Sequence, residues 1–380
     1  MSVIKKITTI GFGDIVGSGI TVIFWFYLAS IVNPEEYGQI HYIISIATFT
    51  STFSLLGTGN ALIVYIAKNK NVVKSLLSFS IICGGIILII SILFDFFNIG
   101  LLIFGIIIFI YGISRDLAKK DFKKYSINII SHKALTASFA FIGLLTLGID
   151  GVIYGIALSY FVYFRYIIVD LRDSKLSFNE LRNNIIEIKN NKKFIFSNYS
   201  LQITSSLTTQ ADKLLIAPIL GLALLGNYSL ALQIIALLTM VPSIIFKFLI
   251  PHYIDGEISK NLKRNSILLS FVFVSLGVIV SPIIIPVFFQ NYTSVISLIQ
   301  IMSFSIIPIT INYFYFAGFL AKENGKIPLL GGIISSSIML SGMIILGSIF
   351  EETGVAITYV MSFSILCLFY SICSRKSRQT

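Results

Sequence analysis

One stretch of this sequence places polar groups where its surroundings are almost wholly apolar. From Ser197 it reads SNYSLQITSSLTTQADKLLIAPILG, ending at Gly221. Read as a helix, it puts Gln202, Ser206, Thr209 and Lys213 on one face and Ser205, Thr208 and Asp212 on the adjoining face. Asp212 precedes Gly221 by nine residues, which at the helical rise is about 13 Å below the outer end and close to a bilayer midplane. A wall of this kind suits an aqueous cavity. Lys213 attracts an anion there, and Asp212 is its counter-charge or a cation site. Sequence neighbours point about 100° apart around a helix, so the two are not expected to pair with each other. The bland alternative is a polar network that glues helices together. A charge at this depth costs about 3 kcal/mol on insertion scales, which favours a working role over glue.

Other candidates carry less. Asp14 sits near the start of the first apolar run, among Gly11, Gly13, Gly17 and Gly19, which permit close helix packing. It is a cavity acid or an interfacial residue in equal measure. Arg115, Lys133, Arg165 and Lys247 each lie near an inner helix end. Singly, such side chains snorkel to headgroups; as a set they could ring a cytoplasmic mouth and attract a phosphorylated substrate. His41, His132 and His252 are scattered, with no metal spacing, and receive no role. Cys83, Cys367 and Cys373 lie within or at the end of apolar runs and form no disulfide or metal pattern.

The elements that must position these residues are membrane spans. Of the 380 residues 56% are hydrophobic and only 12% charged, half the charge of a soluble domain, and the mean hydropathy is +0.91. That excludes a soluble enzyme, a disordered regulator and a secreted disulfide scaffold. The net charge of +11 would suggest nucleic acid in a soluble chain, but here the bases cluster between apolar spans, and no nucleic-acid partner is expected. With about 20 apolar residues per crossing, twelve candidates appear. Six run approximately 11–32, 39–66, 75–94, 98–114, 127–148 and 151–169; six more run 194–220, 227–250, 266–289, 295–320, 327–349 and 354–373. With the N-terminus inside, 27 of the 28 Lys and Arg fall on inner segments or inner helix ends. The outer connections hold only acids: Glu35, Glu36, Asp95, Asp150, Glu351 and Glu352. The expectation is therefore an all-α, multi-pass protein of the cytoplasmic membrane, with twelve transmembrane helices and both termini cytoplasmic.

The chain divides into an N-lobe (1–175), a cytoplasmic amphipathic linker (176–193) and a C-lobe (194–380), with six spans in each lobe. In the linker Ser177 and Glu180 stand at capping-box spacing, followed by Leu181, Ile185 and Ile188. A weak repeat links the lobes: Gly38 in the turn after the first span corresponds to Gly226 in the turn after the seventh, an offset of 188 residues. Two like halves around a central cavity suggest a transporter. Seven of eight prolines lie at or after Pro218, and Pro242, Pro282, Pro286 and Pro308 fall inside spans, where each favours a kink.

Phe26-Tyr-Leu-Ala-Ser-Ile-Val-Asn-Pro-Glu-Glu-Tyr-Gly38 resembles the first outer turn of Wzx-type polysaccharide flippases, within the multidrug/oligosaccharidyl-lipid/polysaccharide exporter superfamily. Ala211-Asp-Lys-Leu-Leu-Ile216, Leu220-Gly221 and Leu225-Gly-Asn-Tyr-Ser-Leu-Ala-Leu-Gln-Ile234 resemble that family's seventh-to-eighth helix signature, of which Asp212-Lys213 is part. The resemblance implies a two-lobed bundle around a V-shaped cavity. Such a protein turns a polyprenyl-linked oligosaccharide from the inner to the outer leaflet by alternating access, for surface polysaccharide or glycan assembly. Its partners would be that substrate, membrane lipids and polysaccharide assembly enzymes. No cofactor is expected; an H+ or Na+ gradient, or consumption of product outside, would give direction.

The nearest rival is a small-molecule/cation antiporter of the multidrug branch, which should line its cavity with acids and few bases; Lys213 argues against it. A lipid II flippase should show more cavity arginines. A membrane glycosyltransferase or polymerase needs a sizeable outer loop, and the outer connections are too short. A primary pump needs a phosphate-binding loop, and no such motif occurs. A transporter rather than an enzyme is expected.

Overall fold

The computed structural model describes residues 3–55, 58–68, 72–172, 186, 189, 192–243, 260–321 and 325–376, and the regular structure among them is helical. In chain order the helices are α1 (Val3–Ile31), α2 (Pro34–Ser54), α3 (Thr58–Ala67), α4 (Val72–Leu93), α5 (Phe97–Ala118), α6 (Phe122–Ser159) and, after a 3-10 turn at Tyr160–Tyr163, α7 (Phe164–Arg172). They continue with α8 (Lys192–Leu220), α9 (Leu222–Leu238), α10 (Lys260–Phe288), α11 (Val295–Ser303), α12 (Ile306–Ala321) and α13 (Lys326–Lys376). Apart from residues 186, 189, 192 and 193, the expected linker lies outside the described residues.

By length and composition, six helices among the described residues can cross a membrane, or seven if the bent pair α11–α12 counts as one span. Two of the six, Phe122–Asp170 and Lys326–Arg375, are 49 and 50 residues long, more than twice what a crossing needs. Each contains one non-helical residue: Gly148 (φ 63°, ψ −140°) in α6 and Glu351 (φ 50°, ψ −125°) in α13. The chain turns back at both breaks, for a Cβ on Gly143 would stand 2.0 Å from the Gly151 carbonyl oxygen, and one on Gly354 1.9 Å from that of Leu346. These breaks fall where the sequence places two outer turns. Helices α2 and α8 are long enough to cross but are not among the six, and α8 is the helix with the polar faces.

Two expected spans are broken. The second, expected as 39–66, is α2 and a separate α3, and the sequence at the junction contains Gly57 and Gly59, poor helix formers. The tenth bends by 42° between α11 and α12. Pro308, near the start of α12, has no N–H for the carbonyl of Phe304, which sits in the bend. Pro218, Pro282 and Pro286 remain inside continuous helices.

The chain forms two compact units. One comprises Met1–Trp25 and Ile43–Gln210, the other Phe26–Tyr42 and Ala211–Thr380. The first has a core of Leu62, Tyr65, Leu76, Leu77, Ile108, Tyr111, Tyr163, Tyr166, Ile167 and Ile195. In it α1 lies against α6 through its glycines: a Cβ on Gly13 would meet Ser126 at 2.8 Å and one on Gly17 would meet Ile129 at 3.1 Å. Asp121 caps α6, and the Lys124 ammonium, 2.6 Å away, hydrogen-bonds its carboxyl and holds it below the usual carboxylate range.

In the second unit the α1–α2 turn presses on the start of α9. A Cβ on Gly38 would lie 1.9 Å from the Leu222 carbonyl oxygen, and one on Gly226 1.8 Å from that of Pro34. The two glycines related by the sequence repeat are therefore the two that let these backbones touch. Tyr292 seals the contact, fully buried, its hydroxyl donating to the Val32 carbonyl at 3.1 Å. Gly226→Ala should destabilise the protein by about 1–3 kcal/mol, the range for overpacking a tight contact, read as a lower thermal midpoint of the detergent-purified chain.

Candidate functional site

The polar stretch forms as one helix, α8, despite its hydroxyls, because they bond back to its own carbonyls. Thr204, Thr208 and Thr209 donate to the carbonyls of Ser200, Thr204 and Ser205 at 2.8–3.0 Å. Ser206 is buried and accepts a hydrogen bond from Thr52 on α2 at 3.1 Å, within the first unit. Gln202 is partly buried and Thr209 exposed.

Asp212 and Lys213 belong to the second unit, and here the sequence expectation is corrected. The two neighbours do pair: Lys213 Nζ lies 3.4 Å from Asp212 Oδ1. Their Cβ atoms diverge, but the Asp212 carboxylate turns toward the Lys213 backbone, accepting its N–H at 2.8 Å, and the long lysine side chain folds back to reach the same oxygen. The other oxygen accepts from the hydroxyl of Tyr228 on α9 at 2.9 Å. Asp212 is 7% exposed, and the Lys213 side chain 16%. Two bonds of 2.8 and 2.9 Å hold the Asp212 carboxylate in addition to the ion pair.

His41, given no role by its sequence pattern, lies on α2 within electrostatic reach of Lys213. Its ring packs edge-on against Tyr37, with centroids 4.6 Å apart. Gln233 on α9 brings its amide nitrogen 2.5 Å from the Tyr37 hydroxyl, to which it donates, and 3.3 Å from His41 Nε2. Tyr228 and Gln233 stand inside the Leu225–Ile234 segment, so that motif held two site residues not singled out. The one signal for His41 was depth: it follows Pro34 by seven residues, as Asp212 precedes Gly221 by nine.

The remaining candidates sit elsewhere. Asp14 accepts from the Tyr125 hydroxyl of α6 at 3.0 Å. Arg115 is engaged by Asp170 of α7 through two bonds, at 2.7 and 3.1 Å, and its guanidinium lies 4.3 Å from the Tyr166 ring centre. Tyr111 also donates to Asp170, so the arginine's charge is matched inside a polar network joining α5 and α7. Arg165 is exposed on α7, and Lys247 lies outside the described residues. Lys133 requires a correction of place. Rather than an inner helix end, it occupies a position eleven residues into α6, about 16 Å along the helix.

The family model described as "Polysaccharide biosynthesis protein" matches residues 3–256. The chain belongs to that family. No curated protein matches it in sequence. Among solved structures it is similar to the lipid II flippase MurJ in an inward closed conformation, with a TM-score of 0.74, 15% identity, and coverage of 98% of this chain and 87% of that one. It is also similar to an inward-facing multidrug resistance MATE transporter of the MOP superfamily, with a TM-score of 0.66, 15% identity, and coverage of 95% and 94%. A third is a MOP transporter from Pyrococcus furiosus whose binding pocket is described as having reverse polarity, with a TM-score of 0.63, 15% identity, and coverage of 98% and 95%. The fold of this family member is thus that of the MOP transporters, as the helix-seven motif had suggested, and the protein is a multi-pass membrane protein.

The geometry makes the two members of the pair unequal. Asp212→Ala removes the acceptor shared by the Tyr228 hydroxyl, the Lys213 N–H and the Lys213 ammonium and should cost roughly 3 kcal/mol of stability, whereas Lys213→Ala leaves Asp212 with Tyr228 and a backbone N–H and should cost roughly 1 kcal/mol. Thermal unfolding of both purified variants checks the order.

Proposed function

We propose that this protein is a flippase that carries a polyprenyl-linked oligosaccharide from the inner to the outer leaflet of the cytoplasmic membrane. In this reading it has twelve helices and cytoplasmic termini, and works by alternating access. Family membership supports a place in polysaccharide assembly. The observation that carries the reading is the Asp212–Lys213 pair within α8, with the carboxylate accepting from the Tyr228 hydroxyl at 2.9 Å and the ammonium 3.4 Å from it. An anionic headgroup competes with Asp212 for that ammonium. The lipid tail stays in hydrocarbon, so only the polar head needs a desolvated path. The counter-charge held beside Lys213 keeps the empty site neutral, which lets it re-form after release. An H+ or Na+ gradient, or removal of the product outside, supplies direction.

The test is which leaflet holds the lipid-linked oligosaccharide in depleted cells, read with an impermeant headgroup probe. Accumulation on the cytoplasmic face, relieved by the restored wild-type chain but not by a well-expressed Lys213→Ala variant, is the expected result. An unchanged lipid-linked pool would instead favour the cation antiporter, with Asp14 and Asp212 as its ion sites. Normal transport by Lys213→Ala would remove the lysine from the site.

A further inference from the structure

The turn between α5 and α6 in the first unit carries Lys119, Lys120, Lys123 and Lys124 within six residues, all four exposed. Basic residues at the ends of membrane spans are ordinary, which accounts for the sign of these charges but not for their places. Helix α5 ends in a closed turn, in which Lys120 donates its N–H to the Leu117 carbonyl at 3.1 Å and Asp121 donates to that of Asp116 at 3.0 Å. This closure puts Lys120 at φ 57°, the left-handed conformation that glycine adopts freely and a side chain resists. Lys123 and Lys124 occupy the first turn of α6, where the helix dipole favours acids, and that turn holds none. Three of the four lysines thus stand where local structure opposes them.

The carboxylates of the turn are already engaged. Asp121 caps α6 and pairs with Lys124 at 2.6 Å, and Asp116 is buried with the Asn128 amide donating to it at 2.8 Å. Lys119, Lys120 and Lys123 are in none of the ion pairs found among the described residues. Beside them α6 presents one exposed stripe: Lys123, Ile127, Ala134, Ser138, Phe141 and Leu145 follow each other at helical spacing. Ile127 and Leu147, 52% and 63% exposed, are twenty residues apart, which is about 30 Å at the helical rise and equals the hydrocarbon thickness of a bilayer. Lys123 lies four residues, about 6 Å, beyond Ile127, at the level of lipid phosphates. An acidic protein reaching this turn from water would make no use of its continuity with the stripe. A phospholipid uses both, with its phosphate on the lysines and its chains along the apolar face.

We infer that the α5–α6 turn binds the headgroup of an anionic phospholipid, held by Lys119, Lys120 and Lys123 in the leaflet that this turn faces. The ligand is a lipid of the bilayer itself, so the site stands or falls apart from the flippase reading. A lysine at position 120 gives up the ease of a glycine turn, and the bound phosphate is what the cation gains there. Because Asp121 and the closed end of α5 fix the turn, the bound headgroup also sets the height of α6, and of α1 packed on it, relative to that leaflet.

The test titrates phosphatidylglycerol, with phosphatidylcholine as the neutral control, into the detergent-purified full chain and counts bound lipid by native mass spectrometry. Lys120→Gly should weaken phosphatidylglycerol about fivefold, the effect of one lysine near an anionic lipid, and leave phosphatidylcholine unchanged. Replacing Lys119, Lys120 and Lys123 together by Gln should weaken it on the order of a hundredfold, and Lys120→Arg should retain most of the affinity. Because glycine relieves the turn, the thermal midpoint of Lys120→Gly without added lipid should equal or exceed the wild type's. Lys326→Gln, which removes an exposed cation at the start of α13 in the other unit, should leave the affinity as it is. Undiminished phosphatidylglycerol binding by the triple variant overturns the assignment and leaves the turn to an acidic protein. An equal loss in Lys326→Gln overturns it in favour of overall charge. A lowered midpoint in Lys120→Gly overturns it in favour of a structural role for the lysine.

Discussion

Charge in hydrocarbon must be answered nearby, and the polar architecture of this chain follows from how each charge is answered. Asp212 receives a tyrosine hydroxyl, a backbone N–H and an ammonium. Arg115 receives both oxygens of Asp170 and an aromatic face. Each solution draws on a second helix, so the charges also bring helices together: α8 with α9, and α5 with α7. Lys133 is in none of the ion pairs found among the described residues.

The close backbone contacts have the same origin. Helices in lipid gain nothing from excluding water between them, so they associate through packing, and small residues bring them nearest. Gly13 and Gly17 let α1 lie on α6; Gly38 and Gly226 let the α1–α2 turn meet α9 backbone to backbone. Beside that second contact lie Tyr37, His41 and Gln233, and beyond them Lys213. The charge pair and the tight turn contact are thus neighbours through one set of side chains.

The Asp212–Lys213 pair is largely buried and is joined to a second helix through Tyr228. Asp212 takes bonds of 2.8 and 2.9 Å besides the ammonium at 3.4 Å. A buried ion pair is a weak source of stability because both charges are desolvated to form it.

Much of the helical framework was legible in the sequence because lipid imposes a length and a polarity on each span. The polar faces of α8, the turns at Gly148 and Glu351 and the paired glycines were all readable as pattern. The motif Ala211–Ile216 pointed to the family for the same reason: its charges stand out against an apolar background. What only the tertiary structure decided was who meets whom. Neighbours 100° apart on a helix wheel still pair when a long side chain folds back, as Lys213 does, and a helix wheel carries no information on side-chain reach. Arg115 was a free cation in the sequence until α7 brought Asp170 to it from 55 residues away. Lys133 passed for an end-of-helix residue until α6 proved to start at Phe122, and His41 had no role until folding set it beside Lys213. Spacing along a chain determines which face a residue occupies; only the fold determines what that face touches, because a charge in lipid is answered from another helix.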